Sequence, residues 1–168
     1  LNAPATRTAA RTTLGRMALM ADKPDVAMAL ARRAHAEALA IELATVAAGT
    51  RAGDVVVLHV APLVYWTSYM VLCTVFSRPQ LGAVLAKSEQ AAAGERFGRD
   101  LGGARGAGRS PWEVLDFGDV VMHCFTPDQR EFYDLEGFYG AAEEVELPAA
   151  VTGAAGAAAA AAGGGAGK

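Results

Sequence analysis

Two cysteines, Cys73 and Cys124, are all the thiol this chain holds, and both fall inside apolar runs. No CxxC spacing exists, so a zinc site has little support; buried free thiols in a reducing compartment fit better. No run of about 18 apolar residues is free of charges and turn formers, so no membrane-spanning helix is expected. No Ser-His-Asp, Cys-His or paired-carboxylate set can be assembled with any specificity. Asp116 and Asp119, the one close acidic pair in a turn, are ordinary turn formers. Residues 1–20 lack any acid but hold Arg7, Arg11 and Arg16. The net charge of −3 therefore combines +3 from residues 1–20 with −6 from the remaining 148. An acidic body does not neutralise phosphates, which argues against direct sequence-specific nucleic-acid binding and favours a basic protein partner.

What is present is enough for one domain of ordinary size in 168 residues. The hydrophobic fraction of 52% is inflated by alanine. The chain opens on Leu1 rather than Met, as a fragment or processed form would. Residues 1–21 read as a transit-peptide-like or disordered segment. Residues 22–148 read as the domain, and residues 149–168 as an Ala/Gly-rich low-complexity tail. A helix is expected over residues 24–48, started by Pro24 or Asp25 and stopped by Gly49, with Leu30, Ala34, Ala38, Ile41 and Val46 along one stripe. Strands are expected over 54–60 and 69–76. Pro79 suits the start of a helix to about Phe97, with Leu81, Val84, Leu85 and Ser88 facing inward, and 98–110 reads as a loop.

The stretch from Trp112 to Glu136 carries the most information. Two apolar runs, Trp112 to Leu115 and Val120 to Phe125, flank Asp116-Phe117-Gly118-Asp119, where Gly118 can supply the positive φ of a tight reversal. Pro127 ends the second run, and Asp128 is expected to cap a helix with Phe132, Leu135 and Tyr139 at helical spacing. Glu144 to Leu147 reads as a brief edge strand. Continuous apolar strands with helices between them predict an α/β fold, a mixed β-sheet flanked by helices.

Several motif look-alikes fail their context. Gly103 to Ser110 imitates a phosphate loop, but no buried strand immediately precedes it and no helix follows. Asp116-Phe117-Gly118 imitates a kinase triplet without the other kinase elements. His35, His59 and His123 have no ligand set of suitable spacing. Alternation puts His123 and Phe125 on one face of their strand and Met122 and Cys124 on the other. Which face meets a helix stays open, as does whether Trp66 and Tyr69 are core or interface residues.

The blocks DVVVLHV (54–60), YWTSYMVLCT (65–74), Ser77, Gln80, WEVLDFGDVVMHCF (112–125), Arg130 and FYDLE (132–136) occur together and in order. This arrangement resembles the ribosomal silencing factor family, RsfS or Iojap. Val75, Ser68 and Phe138-Tyr139 depart from the bacterial pattern, whereas VFSRPQ (75–80), FYG (138–140) and ELP (146–148) look like the plastid branch. The resemblance implies a nucleotidyltransferase-like core without catalytic residues, no cofactor and no metal. It implies a factor that docks on ribosomal protein uL-fourteen of the large ribosomal subunit and blocks small-subunit joining, silencing translation or assisting assembly. The implied partner-binding residues are Trp66, Tyr69, His123, Phe125, Arg130, Tyr133 and Glu136, with Trp112, Asp116, Gly118 and Asp119 as scaffold. The implied compartment is the chloroplast, with the mitochondrion as alternative. A homodimer is left open. The rival reading is a divergent nucleotidyltransferase-fold enzyme.

Overall fold

Alanine spacing sets how the first helix meets the sheet. In the computed structural model, which describes residues 24–99 and 110–152, α1 runs Pro24–Gly49. Pro24 needs no amide partner at the first turn, and Asp25 complements the positive end of the helix. The chain divides into two units, Leu1–His35 and Ala36–Lys168. The first contributes the opening turns of α1 among the described residues, and the second holds everything else. In the second unit α1 buries Ala36, Leu39, Ala40, Leu43, Ala44, Ala47 and Ala48. That stripe lies beside the expected one: Leu30 is exposed, and Ala38, Ile41 and Val46 are only partly buried. Alanine makes up most of this contact surface, because small side chains let a backbone approach closely.

Ala44→Leu should therefore destabilise the fold by about 1–3 kcal/mol through overpacking. Urea unfolding reads this directly, and an unchanged midpoint would mean the helix has room to spare.

The sheet has five strands in the order β3-β4-β2-β1-β5. β1 (Gly53–His59) and β2 (Tyr69–Thr74) are antiparallel, β2 and β4 (Val120–Phe125) parallel, and β3 (Trp112–Asp116) and β4 antiparallel. β5 is two residues long, Glu143–Glu144, and pairs with Leu58 and His59. The mixed sheet matches expectation. β2 stops short of residue 76, and the next helix, α2 (Arg78–Ala93), stops short of Phe97. Its buried side is Leu81, Val84, Leu85, Ser88 and Ala92.

Gln80 explains why the start of α2 is fixed. Its side-chain NH₂ donates to the carbonyls of Thr50 (3.2 Å) and Arg51 (2.7 Å), and its Oε1 accepts from the Phe76 amide at 2.7 Å. One side chain thus satisfies three backbone groups where the α1–β1 and β2–α2 connections meet. The hairpin turn is as expected: Gly118 has φ 84°, and Asp116 Oδ1 accepts from its amide at 2.8 Å.

The helix after Pro127 is not continuous. α3 spans Pro127–Tyr133, and α4 spans Leu135–Phe138. Asp134 between them adopts a left-handed conformation, φ 38° and ψ 57°, which interrupts the helical ladder. Its carboxylate accepts from the Gly137 amide at 3.1 Å, restarting the helix. A Cβ on Gly137 would lie 2.1 Å from that carboxylate, so glycine makes the cap possible. Thr126, not Asp128, occupies the N-cap of α3.

α1 and α2 cover one face, whose buried cluster includes Val57, Tyr69, Val71, Cys73, Leu115, Val120, Met122 and Cys124. Val151, just past Pro148, joins that cluster. The other face holds Leu58, Val60, Met70, Leu72 and Phe125, under Leu135, Tyr139 and Trp112. Residues 1–23, 100–109 and 153–168 lie outside the described residues. The expected N-terminal segment, most of the Gly103–Ser110 loop and most of the tail fall there.

Candidate partner-binding face

Strand alternation decides which question left open by the sequence is settled how. Met122 and Cys124 face α1 and α2, so His123 and Phe125 point to the opposite, thinly covered face. Trp112 on the neighbouring strand pairs with Phe125 in register and lies over it, ring centroids 5.2 Å apart and nearly parallel. Its indole N–H donates to His123 Nδ1 at 3.2 Å. The Tyr133 ring approaches Trp112 to 4.4 Å, and Phe132 meets Tyr133 edge-on at 5.1 Å. The result is an aromatic cluster that is buried at Phe125 and reaches the surface at Tyr133.

Arg130 borders the cluster. Its guanidinium donates to Thr74 Oγ1 at 3.1 Å and to Glu136 through Nε at 3.0 Å and through Nη2. This fixes α3 to the end of β2 and draws α4 back toward α3. Arg130, Glu131 and Glu136 also line a cleft of about 580 Å³ together with Asp54, Thr74 and Phe76. Three carboxylates against one arginine make that cleft acidic.

His123 is buried, and its Nε2 has no hydrogen-bond partner among the described residues. Burial brings its imidazole down from 6.5 to about 4. Charging it would also leave two N–H donors, Trp112 and Nδ1, facing each other. The unfolded chain therefore takes up a proton near pH 6.5 while the folded chain does not until about pH 4. The contribution is whole above pH 6.5 and is lost as pH falls toward 4. Stability should drop by about 1.4 kcal/mol per pH unit across that window. His123→Gln should flatten this part of the pH–stability curve, and an unchanged slope would clear His123 of the role.

The seven residues implied by the resemblance do not lie together. Arg130, Tyr133 and Glu136 form one neighbourhood, with His123 and Phe125 beneath it. Phe125 is only 1% exposed and Tyr133 42%, so the first supports what the second presents. Tyr69 sits on the opposite, helix-covered face, buried, with its hydroxyl donating to Glu37 Oε2 at 3.0 Å. Trp66 is 48% exposed in the loop between β1 and β2, near the Asp119 end of the sheet. β2 and β4 run parallel away from that end, so about 16 Å of strand separates Trp66 from Arg130 and Tyr133.

Phe132 and Phe138, each 77% exposed, flank the neighbourhood and are absent from the partner-binding residues that the resemblance implies. Among the described residues no group of three or more His, Cys, Asp or Glu side chains is placed to hold a metal ion. No helix among them is long and apolar enough to cross a membrane.

Comparison with known proteins finds a match over residues 33–165 to the family described as "Ribosomal silencing factor during starvation". The chain is similar to "Protein Iojap, chloroplastic" of Arabidopsis thaliana, 47% identical over 115 residues, covering 68% of this chain and 47% of that protein. It is also similar to the Zea mays protein of the same name, 40% identical over 126 residues, covering 74% of this chain and 54% of that protein. The chain thus spans about half the length of these two plant relatives. Ribosomal silencing factor RsfS of Bacillus subtilis is 29% identical over 97 residues, covering 58% of this chain and 80% of that protein. Among solved structures, a Chromobacterium violaceum protein aligns with TM-score 0.53 and 26% identity, over 68% of this chain and 88% of its own.

Proposed function

This chain belongs to the ribosomal silencing factor (RsfS/Iojap) family, in its plastid type, and from that premise we propose that it acts as an anti-association factor in the chloroplast. In this reading it binds the large ribosomal subunit at ribosomal protein uL-fourteen and sterically blocks joining of the small subunit. The same act serves either translational silencing or large-subunit assembly. The matching family and the Bacillus subtilis relative carry the name of a ribosomal silencing factor.

The observation that supports a binding role most is the acidic, aromatic-rich face around Arg130, Tyr133 and Glu136. Its carboxylates suit a basic partner, and a surface aromatic backed by buried rings is the anatomy of an interface anchor. Blocking by occupancy needs no chemistry, only shape complementarity and a footprint that the small subunit also requires.

Co-sedimentation of the full chain with purified chloroplast large subunits, with small subunits as competitor, tests the reading. Binding to the large subunit with fewer joined ribosomes is expected. Absence of binding to either subunit would remove it. Tyr133→Ala should weaken binding by about 1–3 kcal/mol, roughly 5–150-fold, while the protein stays folded. Normal binding by the folded variant would move the interface away from this neighbourhood.

A further inference from the structure

The face opposite the aromatic cluster holds a pair of groups that the proposed function does not use. Cys73 and Cys124 are direct partners in the parallel β2–β4 ladder, both wholly buried and both free. Their sulfurs are 3.6 Å apart. Adjacent strands lie about 4.8 Å apart, within the roughly 4.4–6.8 Å between Cα atoms that disulfides accept. The sulfurs need to close by only about 1.5 Å to reach the bond length of about 2.05 Å. With two soft donors and no third ligand beside them among the described residues, the arrangement suits a dithiol better than a metal site.

We propose that Cys73 and Cys124 form a reversible intramolecular disulfide linking β2 to β4, with a peroxide as oxidant. One thiolate attacks the O–O bond of hydrogen peroxide, giving a sulfenic acid and one water after proton transfer. The second thiol displaces the hydroxyl of that sulfenic acid as a second water, and the S–S bond forms. Two thiols are oxidised and one peroxide is reduced to two waters. The contact with Cys73 and burial hold the Cys124 thiol well above its ordinary pKa, so that thiol rests neutral. Reaction then waits on local opening between the central strands, and peroxide is small enough to enter. Thr74 and Phe125 follow the two cysteines in sequence and face the other way, beneath Arg130 and Trp112. A cross-link would pull on both strands directly under the aromatic neighbourhood.

The test treats the full chain with hydrogen peroxide, unfolds it, alkylates the remaining thiols and weighs the intact protein. The expected product is monomeric, lighter by two hydrogens, takes up no alkylating agent and reverts with dithiothreitol. Cys73→Ala and Cys124→Ala should each fail to give it. Four outcomes would overturn the proposal: two thiols still alkylated, oxygen added to sulfur, a disulfide-linked dimer, or the same product from either alanine variant. The readout involves no ribosome, so it stands or falls apart from the binding role.

Discussion

Phe125→Ala should lower the stability of the fold by about 3–5 kcal/mol, the usual cost of deleting a fully buried aromatic ring. Phe125 lies in the second-face core with Leu58, Val60, Met70 and Leu72, and stacks under Trp112. Removing it opens a void and takes away one side of the Trp112 contact. Domains of this size are stable by only about 5–15 kcal/mol, so the loss is a large fraction of the whole. In urea the midpoint should fall while the slope stays constant. The contrast with Tyr133→Ala is the informative part, since that variant should weaken binding with a much smaller fall in midpoint. A Phe125→Ala protein of normal stability that binds poorly would make Phe125 a contact residue, against its burial.

Arg130→Ala should cost about 2–4 kcal/mol, somewhat below the range for breaking a fully buried ion pair because Glu136 keeps some solvent. The guanidinium side chain is 12% exposed and the Glu136 side chain 35%. Losing arginine leaves the Thr74 hydroxyl and the Glu136 carboxylate without their partner, and α3 without its tie to β2. Arg130→Met with Glu136→Gln should recover part of the loss, because no unpaired charge then remains. Equal stability of Arg130→Met with and without Glu136→Gln would mean that the Glu136 charge contributes nothing and that packing and the Thr74 contact explain Arg130.

The four long strands were legible in the sequence because their apolar runs are bounded by Gly, Pro and Asp, whereas their order in the sheet was not, and the edge strand expected at Glu144 to Leu147 lies at Glu143–Glu144. The hairpin was legible for the same reason, down to the positive φ of Gly118. Three further features were not. The buried stripe of α1 was misplaced because alanine carries no strong hydrophobic signal, and contact through alanine depends on how near the partner surface comes. The break at Asp134 was missed because Phe132, Leu135 and Tyr139 keep a helical period through it, so periodicity masked the Asp134–Gly137 cap. The choice of covered face on β4 required knowing where α1 and α2 pack, which alternation within one strand does not encode. The seven candidate site residues were grouped by resemblance alone; the structure brings Arg130 into contact with Glu136 and places Tyr69 and Trp66 elsewhere.

The pairing of β5 with β1 joins Glu143 to His59 across most of the domain. Until residues 143–145 have been synthesised, β1 has one partner, and Val57, Leu58 and His59 lack a neighbour on the outer edge. An unpaired apolar edge of that kind is a template for wrong pairing. The parallel β2–β4 ladder likewise waits on residues some fifty positions downstream, and non-local pairing of this sort is slow. The order of synthesis therefore leaves the hairpin β1–β2 as the earliest sheet element and makes closure of its outer edge a late event. Chain released before Glu143 should be markedly more prone to aggregate than the finished domain.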